Sequence, residues 1–114
     1  MIVFSGIIMV TGLDRTSKEM ESQISAIESA AKAGNWADAK EELNIFESRW
    51  SKTRKTWSAL LDHFEMDNID TTISRLSKYI ESGDIPLSLG EASLLRQYVK
   101  HIPEKESFRL SNIL

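Results

Sequence analysis

One stretch of the chain, WADAKEELNIFESRWSKTRKTWSALLDHF at residues 36–64, organises the interpretation of all the others. Apolar or small residues recur in it at alternating steps of three and four: Trp36, Ala39, Leu43, Phe46, Trp50, Thr53, Trp57, Leu60 and Phe64. This spacing places all of these side chains on one stripe of a helix. It predicts a single helix over residues 36–64, about 43 Å long at 1.5 Å per residue. The rest of the chain must then cover that stripe.

The composition restricts the class of protein. A chain of 114 residues suffices for one domain, and its 41% hydrophobic and 27% charged residues are typical of a folded protein. The formal net charge of −3 provides no overall basic field for nucleic acid. Cysteine is absent, which excludes disulfides, thiolate catalysis and thiolate metal sites and leaves the redox compartment open.

The segment before this stretch is predicted to form a hairpin with it. Residues 16–33 have helical spacing, with Ser17 as the N-cap, and Gly34 ends this first helix while Asn35 caps the next. A junction this short forces the two helices to be antiparallel. The apolar stripe of the first helix is Met20, Ile24, Ile27 and Ala31, and the same steps extended backwards reach Leu13 and Met9. The apolar N-terminus is therefore in phase with the helix, as a stalk would be.

A third, shorter helix is predicted after the hairpin. The apolar spacing breaks near Phe64, and residues 66–67 are the predicted corner. Asp67 is the expected N-cap, with Asp70 in the third helical position, and Gly83 ends the helix. Its stripe is Ile69, Ile73, Leu76 and Ile80.

A fourth helix completes the predicted fold. Ser88 followed by Glu91 matches the capping-box pattern at its start, and Pro103 marks its end. Its stripe is Ala92, Leu95, Val99 and Ile102. The whole chain is predicted to be all-α, an antiparallel bundle of four helices made of a long αα-hairpin plus two shorter helices. Trp50 and Trp57 are expected to be buried, and Trp36 partly buried.

Residues 1–13, MIVFSGIIMVTGL, are the most apolar stretch and carry no charge. We divide the chain into this N-terminal segment and a bundle domain at residues 14–114. A membrane-spanning helix needs roughly 20 apolar residues, and the segment lacks the positive n-region of a signal peptide. Three interpretations stay open: the distal part of a membrane anchor, an apolar helix or strand docked on the bundle, or a short signal-type segment.

Catalytic motifs are lacking in the sequence. It contains no nucleophile elbow, phosphate loop, dinucleotide fingerprint or His-Glu-x-x-His motif. We therefore expect a protein that is not an enzyme, with no catalytic residue, cofactor or metal. A basic cluster lies beside Trp50 and Trp57 and consists of Arg49, Lys52, Arg54 and Lys55. We expect these cations on solvated helix faces rather than on nucleic acid.

The densest polar group lies at the corner between the second and third helices: Asp62, His63, Glu65, Asp67 and Asp70. It lacks the spacing of a known metal site, and a histidine among acids at a helix end is usually a capping or ion-pairing residue. The same explanation is expected for His101. Trp57, His63 and Glu65 are the only candidates for a binding site.

Residues 57–70, WSALLDHFEMDNID, resemble the bacterial family called domain of unknown function 4363. The likeness continues through Ile73 and Tyr79, the segment at residues 95–102 and the closing residues 110–114, and it covers roughly residues 36–114. The resemblance implies a small, mostly helical protein of Gram-positive bacteria, typically with an N-terminal membrane segment and the helical part outside. It implies no activity. It also favours the truncated-anchor interpretation of residues 1–13.

Three functional hypotheses follow. The leading one is a non-enzymatic helical module at the cell membrane, with an extracytoplasmic bundle that contacts an unknown protein partner. The alternative is a soluble cytosolic adaptor, or a homo-oligomer whose long second helix pairs with its own copy. The third is a bundle that binds a metal or ligand at the acidic and histidine corner of residues 62–70.

Overall fold

The computed structural model describes the backbone of residues 2–59 and 61–113, and the side chains of residues 12–59 and 61–105. Within these ranges there are four helices and no strand: α1 (Ile2–Lys32), α2 (Trp36–Trp57), α3 (His63–Ser82) and α4 (Ile85–Ile113). Contacts between α1 and α4 close the bundle, whose dimensions are 50 × 21 × 21 Å. The predicted all-α antiparallel four-helix bundle is confirmed.

The predicted stripes form the core of the bundle. Trp50 and Trp57 are each 3% exposed, and their rings meet edge to face with centroids 5.8 Å apart. Trp36 is partly buried, as expected. The fully buried core residues come from all four helices and include Met20, Ile24, Ile27, Phe46, Ile69, Leu76, Leu95 and Val99.

The prediction of one helix over residues 36–64 is wrong. α2 has 22 residues and ends at Trp57, and residues 58–59 and 61–62 lie outside both helices. Phe64 consequently lies in the first turn of α3 with 77% of its surface exposed, whereas Leu61 and Met66 enter the core. Two consecutive helices can keep apolar residues at the same intervals as one long helix, so the spacing alone does not reveal the break.

The predicted corner at residues 66–67 is wrong for the same reason. Asp62 occupies the N-cap position of α3, and its carbonyl oxygen accepts a hydrogen bond from the Glu65 N–H at 3.1 Å. Asp67 therefore lies inside the helix rather than at its cap, and Asp70 lies further along it than the predicted third position.

α1 and α4 are both longer than predicted. One hydrogen bond between these two helices involves both of the residues that were expected to limit them. Ser17, the predicted N-cap, is buried inside α1, and α4 passes through the predicted stop at Pro103. A proline inside a helix has no N–H for the carbonyl four residues earlier, here that of Val99. The Ser17 hydroxyl donates a hydrogen bond to this carbonyl oxygen at 2.8 Å. A side chain of α1 thus replaces the hydrogen bond that Pro103 removes from α4.

The start of α4 also differs from the prediction. Ser88 is buried inside the helix, which begins at Ile85. Asp84 caps it, because its Oδ1 accepts a hydrogen bond from the Leu87 N–H at 2.9 Å. The capping pattern of Ser88 and Glu91 matched a true helix start but placed it several residues too late.

The two glycine turns are predicted correctly. Gly34 has φ +73° after α1, and Gly83 has φ +70° after α3, a left-handed conformation that glycine adopts without a steric penalty. The Asn35 side chain accepts a hydrogen bond from the Asp38 N–H at 3.3 Å and caps α2. These turns depend on local backbone chemistry, which the sequence shows directly.

The N-terminal segment continues α1. The helix runs without a break from Ile2 across residues 13–14, so the proposed division of the chain falls inside a helix and stays a prediction. The side chains of residues 1–11 lie outside the described range, and the three interpretations of the segment stay predictions as well. None of the described helices combines the length and the apolar character needed to cross a membrane.

Candidate functional site

The three residues predicted as site candidates do not lie together. Trp57 is buried in the core against Trp50. The His63 side chain projects from the start of α3 and is 81% exposed, with Nε2 4.0 Å from Asp67 Oδ2. Glu65 faces α4 instead. A binding role stays a prediction for each, and only Glu65 lines a described cavity.

The acidic residues inside α3 hold α2 in place. Asp70 accepts two hydrogen bonds, from Trp50 Nε1 at 2.7 Å and from Arg54 Nε at 3.0 Å. Another nitrogen of Arg54 lies 3.6 Å from Asp67 Oδ1. A second member of the basic cluster, Arg49, pairs with α1 instead, at 3.6 Å from Glu19. Lys52 and Lys55 are exposed, as predicted, whereas Arg49 and Arg54 are partly buried.

Glu65 forms an ion pair with α4 at the corner. Its Oε1 accepts a hydrogen bond from Lys105 Nζ at 3.0 Å, and 15% of its side chain is exposed. Its Oε2 is buried and has no hydrogen-bond partner among the described residues. A carboxylate can accept about four hydrogen bonds, so this carboxylate keeps unused acceptor capacity.

A cavity of about 200 Å³ adjoins this carboxylate between α3 and α4. The residues that line it are Glu65, Asn68, Tyr98, His101 and Ile102. A second, more open cleft of about 440 Å³ shares Tyr98 and His101 with the cavity and runs along α4. The cavity therefore presents one carboxylate, an amide, a phenol, an imidazole and one apolar wall.

Sequence reasoning missed the α4 side of this cavity. Tyr98 and His101 are more than thirty residues away from Glu65, and His101 was assigned only a structural role. A signal was present, because Tyr98, His101 and Lys105 follow the same three-and-four spacing beside the apolar stripe of α4. Which helix this polar stripe faces depends on how α3 and α4 pack.

Glu91 provides an internal comparison with Glu65. Its Oε1 accepts a hydrogen bond from Arg75 Nε at 3.0 Å, and 16% of its side chain is exposed. Its Oε2 is likewise buried without a partner among the described residues. The hydrogen bond to Glu91 and the attraction of its charge raise the pKa of Arg75 above its ordinary value. Glu91 does not line the cavity, so the main difference between the two glutamates is that only Glu65 lies beside it.

Among the described residues, no three histidine or acidic side chains lie close enough together to hold a metal ion. Glu65 and His101 both line the cavity, and its lining contains no third histidine or acidic side chain. Chemically, the arrangement can accept hydrogen bonds and enclose a small group.

The fold and the corner contacts define an all-α four-helix bundle. The chain belongs to the family described as Domain of unknown function (DUF4363), whose family model matches residues 7–113. The resemblance carried by residues 57–70 is thereby confirmed, and the match extends further toward the N-terminus than the sequence motifs indicated. Searches of curated proteins and of solved structures give no match.

Proposed function

We propose that the protein is a non-enzymatic helical module, held at the cell membrane through residues 1–13, whose extracytoplasmic bundle contacts a protein partner. The observation that carries the proposal is the continuity of α1 from Ile2 to Lys32. The uncharged apolar residues and the core of the bundle share one stiff helix. Whatever holds the start of α1 therefore also positions the bundle.

The corner end of the bundle supports the same proposal. Because the helices alternate in direction, the start of α1, the link at residues 58–62 and the end of α4 lie at one end. Phe64 is exposed there, and the exposed side chains of Lys52 and Lys55 lie on the last turns of α2. An exposed aromatic ring and basic side chains favour contact with a lipid surface, and the exposed Asp62 and Asp67 of the same corner oppose it in part when the surface is anionic.

The homo-oligomer alternative draws no support from the apolar stripe of α2. Leu43, Phe46 and Trp50 of the α2 stripe are buried within the single chain. The stripe is therefore not free to pair with a second copy, and α2 is shorter than that hypothesis required. A soluble cytosolic adaptor remains the alternative that the experiment addresses.

Cell fractionation of the native, full-length protein tests membrane attachment, with protease added to intact cells to report the side. The expected result is a protein that pellets with membranes and is digested from outside. Recovery in the soluble fraction, protected from protease, overturns the proposal and favours the cytosolic adaptor. A matched pair of variants adds resolution: Ile8→Asp is expected to release the protein, whereas Leu87→Asp at the opposite end is not.

Contact between the corner end and a lipid surface can be tested with a fluorescent label. Because the chain contains no cysteine, a single introduced cysteine carries the label at a chosen position. His63→Cys and Leu87→Cys would each carry an environment-sensitive dye, and the probe is a phosphatidylcholine and phosphatidylglycerol vesicle. We expect the dye emission to shift to shorter wavelength at position 63 and to stay unchanged at position 87. Equal behaviour at both positions in protein that pellets with vesicles would exclude the corner as the contact.

A further inference from the structure

We propose that the cavity between α3 and α4 is a binding site for an alkylguanidinium group, from either an arginine side chain or a small guanidine compound. The inference goes beyond the proposed function, because the cavity can bind whether or not residues 1–13 enter a membrane. The two proposals therefore fail in separate experiments.

The polar lining of the cavity calls for a hydrogen-bond donor. Glu65 presents a carboxylate, Asn68 a carbonyl oxygen and Tyr98 a hydroxyl, and each of these can accept a hydrogen bond. Glu65 is also the one acidic side chain of the lining, and His101 is its one basic side chain, whose imidazole offers an acceptor nitrogen when it is neutral. Lys105 engages the carboxylate from the side, through Oε1. An anion is therefore disfavoured, and a cation with several N–H groups is favoured.

The buried oxygen of Glu65 gives the donor its main partner. Oε2 has no partner among the described residues, and an unpaired buried acceptor destabilises the state that contains it. The terminal torsion of a glutamate side chain is broad. A modest rotation can therefore turn Oε2 toward the cavity while Oε1 stays near Lys105. A donor group that enters the cavity would form the charge-assisted hydrogen bond that this oxygen lacks.

The shape of the cavity favours guanidinium over ammonium. Its volume of about 200 Å³ equals that of six or seven waters at about 30 Å³ each. A guanidinium group with a three-carbon stem has about as many non-hydrogen atoms. The Tyr98 ring can face a planar cation, and Ile102 provides an apolar wall for the stem. Guanidinium presents five donors in a plane and is less strongly hydrated than ammonium.

The first experiment is calorimetric titration of the purified full-length protein with n-propylguanidinium. Saturable binding is expected, and n-propylurea, which has a similar shape but no charge, should bind about tenfold more weakly or worse. Absence of saturable binding by n-propylguanidinium overturns the proposal. Equal binding of both compounds also overturns it.

Two matched glutamate variants test the site itself. Glu65→Gln should lower the affinity for n-propylguanidinium about tenfold, and Glu91→Gln should leave it within about twofold. The two residues have nearly equal exposure and one cationic partner each, so a general effect of losing a bridged carboxylate would appear in both. Equal losses in the two variants contradict the proposal.

Two further variants remain informative if Glu65→Gln folds poorly. Lys105→Met frees Oε1, so it should raise the affinity for the cation severalfold, and a fall in affinity would indicate an anion site instead. Asn68→Ala changes a solvent-exposed residue and should weaken binding severalfold with an unchanged thermal midpoint.

The source of the guanidinium group is resolved by a second ligand, the peptide acetyl-Gly-Arg-Gly-amide. Tighter binding of the peptide than of n-propylguanidinium supports the site and assigns it to an arginine of a protein partner. Weaker binding of the peptide supports the site and assigns it to a small guanidine compound.

Discussion

At one end of the bundle, the glycine end, the turns at residues 33–35 and 83–84 each pass through a glycine with positive φ. At the other end, the corner end, the link at residues 58–62 contains no glycine. Side chains from distant parts of the chain hold that end together, as in the hydrogen bond from Lys105 Nζ to Glu65 Oε1, 40 positions apart. The contrast shows two ways to fix an end of the bundle: by local backbone chemistry in the turns, or by side-chain contacts that exist only after folding.

Both ends of the bundle have a surface depression: an open cleft of about 470 Å³ beside Trp36 at the glycine end, and the cavity of about 200 Å³ beside Glu65 at the corner end. At the glycine end the Trp36 ring lies against Gly83, about 3.5 Å from where a Cβ would stand. The corner end exposes Phe64 and contains the cavity beside Glu65. Both functional proposals therefore fall on the end that long-range contacts hold together.

The largest effect is expected for Trp57→Ala at the corner end. Trp57 is 3% exposed and packs against Trp50, so its removal should lower the free energy of unfolding by about 3–5 kcal/mol. Chemical denaturation of the purified protein measures this. The control is Trp36→Ala at the glycine end, where the partly buried ring should cost clearly less. Equal losses would remove the distinction between the two ends.

The next effect is expected for Asp70→Ala, which removes the acceptor of the Trp50 indole and the Arg54 guanidinium. Leaving these donors unpaired should lower the free energy of unfolding by about 1–3 kcal/mol. Asp67→Ala is the matched control, because its exposed 3.6 Å contact with Arg54 should contribute less than about 0.5 kcal/mol. If both variants unfold at the same denaturant concentration, Asp70 does not hold α2 to α3.

Ser17→Ala should lower the free energy of unfolding by about 1–2 kcal/mol, because it leaves the Val99 carbonyl unpaired. A double-mutant cycle with Pro103→Ala tests the reason. Alanine at 103 restores the backbone N–H, so the effect of Ser17→Ala should shrink by about 1 kcal/mol in that background. Additive effects would show that the hydroxyl does not substitute for the proline N–H.

At the glycine end, Gly83→Ala should cost about 1 kcal/mol because alanine is disfavoured at φ +70°. The added Cβ meets the Trp36 ring at an ordinary contact distance, so packing should add little. Gly34→Ala, with open space around it, should cost a similar amount. Gly90→Ala, inside α4, should instead stabilise by about 0.5–1 kcal/mol. Thermal or chemical unfolding of the three variants shows whether each one is less or more stable than the unsubstituted protein.

The smallest effect on stability is expected for Phe64→Ser. The ring is 77% exposed, so the free energy of unfolding should change by less than about 0.5 kcal/mol. Binding to anionic vesicles should nevertheless fall if the corner contacts lipid. The comparison variant is Leu87→Ser, which is 48% exposed at the glycine end and should leave vesicle binding unchanged.

Much of the fold could be predicted from spacing and turn chemistry. The stripes, both glycine turns and the burial of Trp50 and Trp57 need only local patterns, since helical period and left-handed backbone are properties of neighbouring residues. The length of α2 could not be predicted in this way. An apolar residue at the position of Phe64 continues the spacing equally well inside one helix or after a turn.

The candidate site was predictable only in part. Glu65 was singled out among the polar residues of the corner, but it was grouped with Trp57 and His63, which face the core and the solvent. Tyr98 and His101 belong to another helix, and their place beside Glu65 depends on the rotation and offset of α4 against α3.

The sequence by itself determined the class of fold, the core stripes, the two glycine turns and the membership of the family, because these depend on period, conformation and motif. The tertiary structure decided where α2 stops, why α4 continues through Pro103 and which polar side chains meet. Those features depend on partners far apart in the chain. The Ser17 hydroxyl satisfies the Val99 carbonyl, and Glu65 meets Lys105, only when α1, α3 and α4 are packed together.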